Sequence, residues 1–297
     1  MDPLRLRPAT AFSHRRLSEL LNQAYADYFA PVTFDAYQFS MMCDDMDVDL
    51  ARSVVAVIPG EATGWPTDTP VGMALESVRG LQGWISGVGV LPEWRRKGVA
   101  KAILERMLQE ARDARLELLR LEVLIQNQAG IRLYRSLGFE IERELLVLKL
   151  MPGTDQVGLH PRPDIRSVSP RELLRYHTLF HDVDPSWQRA LGSLQKRATW
   201  LQAQALYHGR DHLAAYVLYQ MRTDVIHILD LAVAPGLSDR QAVAQILLRS
   251  LHASQPDLGG YIVNVPAEDP LAEAFAALGY RAHQRQHEMT WFRGSIQ

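Results

Sequence analysis

The stretch Ser86-Gly87-Val88-Gly89-Val90-Leu91-Pro92-Glu93-Trp94-Arg95-Arg96-Lys97-Gly98-Val99-Ala100 decides the fold. Leu81 to Val90 reads as a strand that runs into Pro92, and from Lys97 to Arg115 the pattern turns helical, with Val99, Ile103, Met107 and Ala111 on one face. A glycine at this strand-to-helix turn lets a ligand approach the backbone. The free amides of the first helical turn then face it with the positive end of the helix dipole behind them. Arg95, Arg96 and Lys97 add three cations at that same positive end, which makes sense chiefly when an anion sits there; the alternative is a solvated helix start. These residues describe a candidate pyrophosphate site. Gly87 and Gly89 begin a Gly-x-Gly, but Pro92 stands where the dinucleotide fingerprint needs its last glycine, and no Gly-Lys-Ser/Thr follows.

Upstream, Leu4 to Arg7 reads as a strand, about Ser13 to Tyr28 as a helix, and Ser53–Ile58 and Val71–Val78 as strands joined by the Pro- and Gly-rich 59–70. Downstream, Leu118–Leu124 is a buried-looking strand, Ala129–Leu137 a short helix and Leu145–Leu150 another strand. Strands alternating with helices argue for an α/β fold, a mixed sheet covered on both faces. Residues 152–163 hold three prolines and two glycines and suit a linker between a domain 1–151 and a domain 164–297. The second half repeats the order of the first: a strand near Ile165–Val168, a helix Pro170–Phe180, strands near 205–207, 213–220 and 225–233, a helix 240–253, a strand 261–265 and a helix 270–278.

The repetition extends to residues. Val88-Gly89-Val90-Leu91-Pro92 has its counterpart in Leu231-Ala232-Val233-Ala234-Pro235, and Tyr134-Arg135-Ser136-Leu137-Gly138-Phe139 in Phe275-Ala276-Ala277-Leu278-Gly279-Tyr280. Both matches fall in the same order at nearly the same offset, which favours a duplicated fold.

Arg95, Gly98 and Ala100 resemble the Q/R-x-x-G-x-G/A loop of the GCN5-related N-acetyltransferase superfamily, and Asn127, Ala129, Tyr134 and Leu137-Gly138-Phe139 resemble its second signature. The resemblance covers residues 1–150 well and 163–297 in outline. It implies two tandem domains, each a mainly antiparallel mixed sheet flanked by helices, with the second copy degenerate. It also implies acetyl-CoA as cosubstrate, held by Val88, Gly89, Val90, Arg95, Arg96, Lys97, Gly98, Val99, Ala100 and Asn127. An irregularity in the Val88–Val90 strand would free an amide for the thioester oxygen, and Tyr134 would protonate the departing thiolate. The acceptor would be a primary amine of a small molecule or peptide.

An attacking amine must be neutral, so a base or water chain is needed; Glu76 and Glu122 are candidates, with Arg120 as a structural partner for Glu122 the competing reading. Tyr28 to Asp49 is rich in aromatics, methionines and aspartates. It reads either as an acceptor wall suited to a cation or as ordinary core with a solvated acidic loop. In the second half Ser238, Gln241 and Val243 stand at the offset of Arg95, Gly98 and Ala100, Phe275 at that of Tyr134 and Glu268 at that of Asn127, so this copy reads as catalytically silent.

His177, His181 and Asp182, or His208 and His212, have metal-like spacing without further ligands, and no metal is expected. Cys43 is the single cysteine, so no intrachain disulfide forms and a cytoplasmic protein is expected. A net charge of -2 gives no footprint for nucleic acid or an anionic membrane, and no stretch reads as a membrane span. A monomer or homodimer is expected. A non-catalytic acyl-CoA binding or regulatory protein is the alternative function.

Overall fold

A computed structural model describes residues 4–29, 33–63, 68–153, 163–209 and 211–294. The chain forms two compact units: Met1–Glu142 with His287–Gln297, and Arg143–Gln286. Each is a mixed, mainly antiparallel sheet flanked by helices.

The first unit opens with β1 (Arg5–Pro8), α1 (His14–Tyr25) and α2 (Ala36–Met46). Ser13 and Asp35 accept the first-turn amides of Arg16 and Gln38, and Gln38 returns a bond to the Asp35 amide, a reciprocal cap that fixes where α2 starts. There follow β2 (Val54–Ile58), α3 (Gly60–Thr63), β3 (Thr69–Arg79), β4 (Gln82–Val90), α4 (Val99–Asp113), β5 (Leu118–Leu124), α5 (Gln128–Ser136) and the start of β6 (Glu140–Leu150). The sheet order is β1-β2-β3-β4-β5 and then the end of β12 (Arg281–Phe292). One face packs on α4 and α5 through Ile103, Met107, Leu121, Phe139 and Trp291, the other on α1 and α2 through Leu17, Leu21, Phe39 and Met73.

The second unit runs through β7 (Asp164–Ser167), α6 (Pro170–Leu174), α7 (His177–Phe180), α8 (Leu191–Arg197), β8 (Gln202–His208), β9 (His212–Met221), β10 (Val225–Val233), α9 (Arg240–Ala253), β11 (Gly259–Pro266) and α10 (Ala272–Ala277). Its sheet order is β6-β11-β10-β9-β8-β7. The helix expected over Pro170–Phe180 is broken at Arg175–Tyr176, where the Tyr176 amide turns back to the Leu173 carbonyl.

The units divide the chain at different places from the sequence boundary, and 154–162 of the expected linker lie outside the described residues. Leu148 and Leu150 of β6 pack in the second unit, where β6 pairs antiparallel with β11. Met289 and Trp291 of β12 are buried in the first. The sequence reading contains no strand at 281–292, because Arg, His and Gln fill its first half and only Met289 and Trp291 show the strand alternation.

Two irregularities of β4 open the sheet of the first unit. The strand pairs in parallel with β5 only from Gln82↔Leu118 to Ile85↔Leu121, so the two part beyond Ile85. Its register to β3 slips between Leu75↔Gly87 and Glu76↔Ile85, leaving Ser86 as an extra residue, a β-bulge.

Candidate active site

Where β4 leaves β5, a cavity of about 680 Å³ opens. Val88, Gly89 and Val90 of β4, Trp94, Arg95, Arg96, Gly98, Val99 and Ala100 at the start of α4, and Asn127 and Tyr134 of the α5 region line it, with Tyr25, Asp27, Tyr28 and Phe29 from the end of α1 and beyond. All the cofactor residues expected from sequence therefore meet in one place except Lys97, whose ammonium lies 4.6 Å from the centre of the Trp94 ring.

The turn into α4 has a shape that can hold an anion. Arg96 and Gly98 both have positive φ, 63° and 81°, so the backbone curls into a concave turn of amides. Gly98 is the N-cap and no side chain caps the helix. A Cβ built on Gly98 would meet nothing within 4 Å. The first-turn amides are thus left for a ligand, which is the fit expected for the pyrophosphate of a coenzyme A thioester.

Arg95 plays a different part from the phosphate ligand expected of it. Its guanidinium forks onto both oxygens of Asp27 at 2.6 Å, and also donates to the carbonyls of Ala24 at 3.0 Å and Val90 at 3.1 Å. That pairing raises the pKa of Arg95 and lowers that of Asp27, each chiefly through the mutual hydrogen bond. Arg95 is a latch between the end of α1 and the end of β4.

Asn127 caps α5, accepting the Gly130 amide at 3.0 Å, and donates to the Tyr28 hydroxyl at 3.3 Å. Tyr134 is buried at the cavity wall, edge-on to Phe139. Burial first, and then the neighbouring Tyr25 and Tyr28, push its phenol well above the ordinary value, so it holds its proton at any working pH.

Glu76 and Glu122 are not among the residues lining the cavity. Glu76 is fully buried, 3.5 Å from a Cβ built on Gly83 that would also meet Leu116 and Leu119, and accepts from Arg52 at 3.1 Å. Burial pushes its carboxyl up to about 7 against the opposing pull of Arg52. Glu122 accepts from the Trp84 indole at 2.8 Å, while Arg120 pairs with Glu142 at 3.3 Å. In the Tyr28–Asp49 segment Phe39, Cys43 and Met46 are core, and Asp47 pairs with Arg79 at 2.7 Å; Tyr28 and Phe29 reach the cavity. The Cys43 thiol is pushed up to about 12 by burial and then by Asp44, which leaves it inert.

Tyr25 is the residue that sequence reasoning missed. Its hydroxyl donates to the Val88 carbonyl at 3.1 Å and accepts the Val88 amide at 3.2 Å, filling the β4 edge that β5 has left. A Cβ on Gly89 would come within 2.8 Å of the Ala24 Cβ and 3.1 Å of the Tyr25 ring, so this glycine makes room for α1. The repeated glycines at 87 and 89 were the available signal that something large packs there.

The second unit carries a buried polar cluster. At a matching slip of β10, between Ile228 and Asp230, the Asp230 carboxylate is buried and accepts from His181 at 3.0 Å, Arg189 at 3.2 Å and Tyr216 at 2.9 Å. Burial opposes its charge, yet His181 and Arg189 hold the carboxyl well below the usual range. His177 joins them, with ligand atoms of His177, His181 and Asp230 all within 4.8 Å. The hydrogen bonds argue against a metal: His181 Nδ1 meets the His177 carbonyl at 2.8 Å and Nε2 meets Asp230, so both ring nitrogens face acceptors and neither offers a lone pair.

Residues 16–139 match the model of the acetyltransferase (GNAT) family. Among solved structures the chain resembles a GCN5-related N-acetyltransferase from Sphaerobacter thermophilus (TM-score 0.69, 14% identity, 98% of this chain and 96% of that one). It also resembles a tandem GNAT protein from the clavulanic acid biosynthesis pathway (0.68, 14%, 99% and 100%) and a putative acetyltransferase from Pyrococcus horikoshii (0.65, 16%, 98% and 90%). At these identities the likeness shows the fold. No curated protein matches the sequence. No helix among the described residues is long and apolar enough to cross a membrane.

Proposed function

We propose that the chain, whose residues 16–139 match the acetyltransferase (GNAT) family model, moves the acetyl group of acetyl-CoA directly to a primary amine of a small molecule or peptide, at one site, in the first unit. The observation that carries this reading is the uncapped turn Arg95–Ala100 opening into the same cavity as Tyr134.

On this reading the amides at Gly98, Val99 and Ala100 take the pyrophosphate, and Asn127 keeps α5 and Tyr28 in place. The neutral amine attacks the thioester carbon, the carbonyl π pair moves to oxygen, and collapse breaks the C–S bond. Tyr134, a phenol at the wall, supplies a proton to the leaving thiolate, and the proton lost by the amine is relayed through water to restore the phenol. The absence of Glu76 and Glu122 from the cavity lining favours a water-mediated path for that proton. The same observation supports a second reading, an acyl-CoA binding protein without transfer.

Titration calorimetry with acetyl-CoA should show one site per chain, abolished by Gly98→Glu, which puts an anion and a strained φ where the phosphate binds. Two equal sites, or binding indifferent to that change, overturn the assignment. A thiol-release screen over amine acceptors separates the two readings, and Tyr134→Phe should lower turnover while leaving acetyl-CoA affinity within about twofold.

A further inference from the structure

β4 parts from β5 beyond Ile85, and past that point side chains bond its outer edge. Residues two apart in a strand turn their N–H and C=O to the same edge, so Val88 and Val90 share this one. The Tyr25 hydroxyl accepts the Val88 amide at 3.2 Å and donates to the Val88 carbonyl at 3.1 Å, and Arg95 Nε donates to the Val90 carbonyl at 3.1 Å. Both side chains stand where a neighbouring strand, or an extended ligand with amides of its own, pairs. They differ in what they leave over. A carbonyl has two lone pairs, so Val90 can keep Arg95 and still accept from a ligand. The Val88 amide has one proton, already given to Tyr25, and cannot serve both.

The two side chains also differ in how they are held. Arg95 is tied to Asp27 and to the Ala24 carbonyl as well as to Val90. Tyr25 is the last residue of α1 and borders the cavity, and its hydroxyl bonds are those to Val88. Its ring lies over Gly89, which has no side chain to hold it in place, and α1 itself is anchored by the buried Leu17 and Leu21. We propose that Tyr25 is a built-in cap on the β4 edge: an acyl-CoA binds when the amide-bearing arm next to its thioester takes the place of Tyr25 on Val88, while the Arg95 latch on Val90 stays shut. The inference rests on the acyltransferase reading of the same site. Binding is then an exchange of hydrogen bonds, and the cap lowers the affinity by what its own two bonds contribute.

The test uses the full chain and three probes: acetyl-CoA, S-acetylpantetheine, which is the arm without the nucleotide, and the nucleotide half of coenzyme A, which lacks the arm. In titration calorimetry Tyr25→Phe should bind acetyl-CoA and S-acetylpantetheine about tenfold tighter than the wild type, the scale of two neutral hydrogen bonds that the ligand no longer has to replace. The nucleotide half should bind both proteins within about twofold. S-acetylpantetheine has no adenine to mask tyrosine absorption, so added to the wild type it should give the ultraviolet difference spectrum of a tyrosine changing its surroundings, and this signal should be missing in Tyr25→Phe. Equal affinity of the two proteins for acetyl-CoA overturns the proposal, and so does weaker binding by Tyr25→Phe, which would make the hydroxyl an anchor for the ligand. An equal gain for the nucleotide half also overturns it, because the substitution would then have loosened the whole cavity. If Tyr25→Phe does not fold, the wild-type difference spectrum decides, and its absence refutes the cap. Failure of both proteins to bind acetyl-CoA refutes the acyltransferase reading itself, and this inference falls with it.

Discussion

The same latch is found in both units, and the helix start beside it is uncapped in one and capped by a carboxylate in the other. Arg95 joins Asp27, the Ala24 carbonyl and the Val90 carbonyl; Arg240 joins Asp182, the Phe180 carbonyl at 2.9 Å and the Val233 carbonyl at 2.7 Å. The shared task is to tie the first helical layer to the end of the bulged strand. What differs comes after the arginine. In the first unit three residues, Arg96, Lys97 and Gly98, intervene before α4 begins at Val99. In the second, α9 begins at Arg240 itself, and one of its first-turn amides, that of Ala242, is already bonded to the Asp239 carboxylate at 2.8 Å. A carboxylate already at that N-terminus repels a phosphate and satisfies the amides that would bind it. The latch is therefore a feature of the fold, and the open turn is what distinguishes the first unit.

The largest effect expected from this comparison lies in the second unit. Asp230→Ala leaves His181 and Arg189 buried without their counter-charge and should cost about 3–5 kcal/mol in denaturant unfolding. A loss below about 1 kcal/mol would mean that this polar cluster contributes little to holding its unit together.

Next comes pH, where Glu76 of the first unit and His252 of the second have opposite signs. Glu76 in the first has a folded pKa raised to about 7, so its contribution is complete below its unfolded value of 4.5 and is lost as pH rises to 7. Glu76→Gln should therefore stabilise the chain above pH 7, by up to about 3 kcal/mol, and change little near pH 4. His252 in the second unit is lowered to about 4 by burial, so its contribution is present above its unfolded value of 6.5 and is lost as pH falls through 4. His181, also in the second unit, has the sign of Glu76, because burial lowers it but Asp230 outweighs burial and raises it: its contribution is complete below 6.5 and is lost as pH rises past its folded value. Denaturation series from pH 4 to 8 on Glu76→Gln and His252→Asn should show the two slopes removed separately.

A smaller effect tests the equivalence of the latches most directly. Arg95→Ala and Arg240→Ala should each cost about 2 kcal/mol in stability, the scale of lost charge-assisted hydrogen bonds. If Arg95 instead served mainly the phosphate, Arg95→Ala would weaken acetyl-CoA binding at nearly unchanged stability, and the equivalence would fail.

The loop 86–100, the helix α4, the strand β5 and the Asn127–Phe139 signature are legible in the sequence because each depends on neighbours a few residues apart: a glycine's φ, a cap, an apolar stripe. The duplication is legible too, but the constant offset that sets Ser238 opposite Arg95 is wrong. The turn after β10 differs in length, and Arg240 is the residue with matching contacts. Arg95 reads as a phosphate ligand in sequence because its partner, Asp27, lies sixty-eight residues away. A charge at a helix start looks the same in sequence whether it faces a ligand or a carboxylate.

A helix start after a glycine-bearing strand, a tyrosine on the helix that Asn127 caps and a plan that occurs twice all come from the sequence alone. These are local consequences of backbone preference and side-chain spacing. What meets those groups is a matter of tertiary structure. It placed Tyr25 on Val88 across sixty-three residues, removed Glu76 and Glu122 from the cavity lining, and gave the C-terminal Trp291 to the core of the first unit. The reason is physical: which strand edge stays open, and which side chain closes it, depends on sheet order and on where a helix crosses the sheet, and no short window of residues carries either.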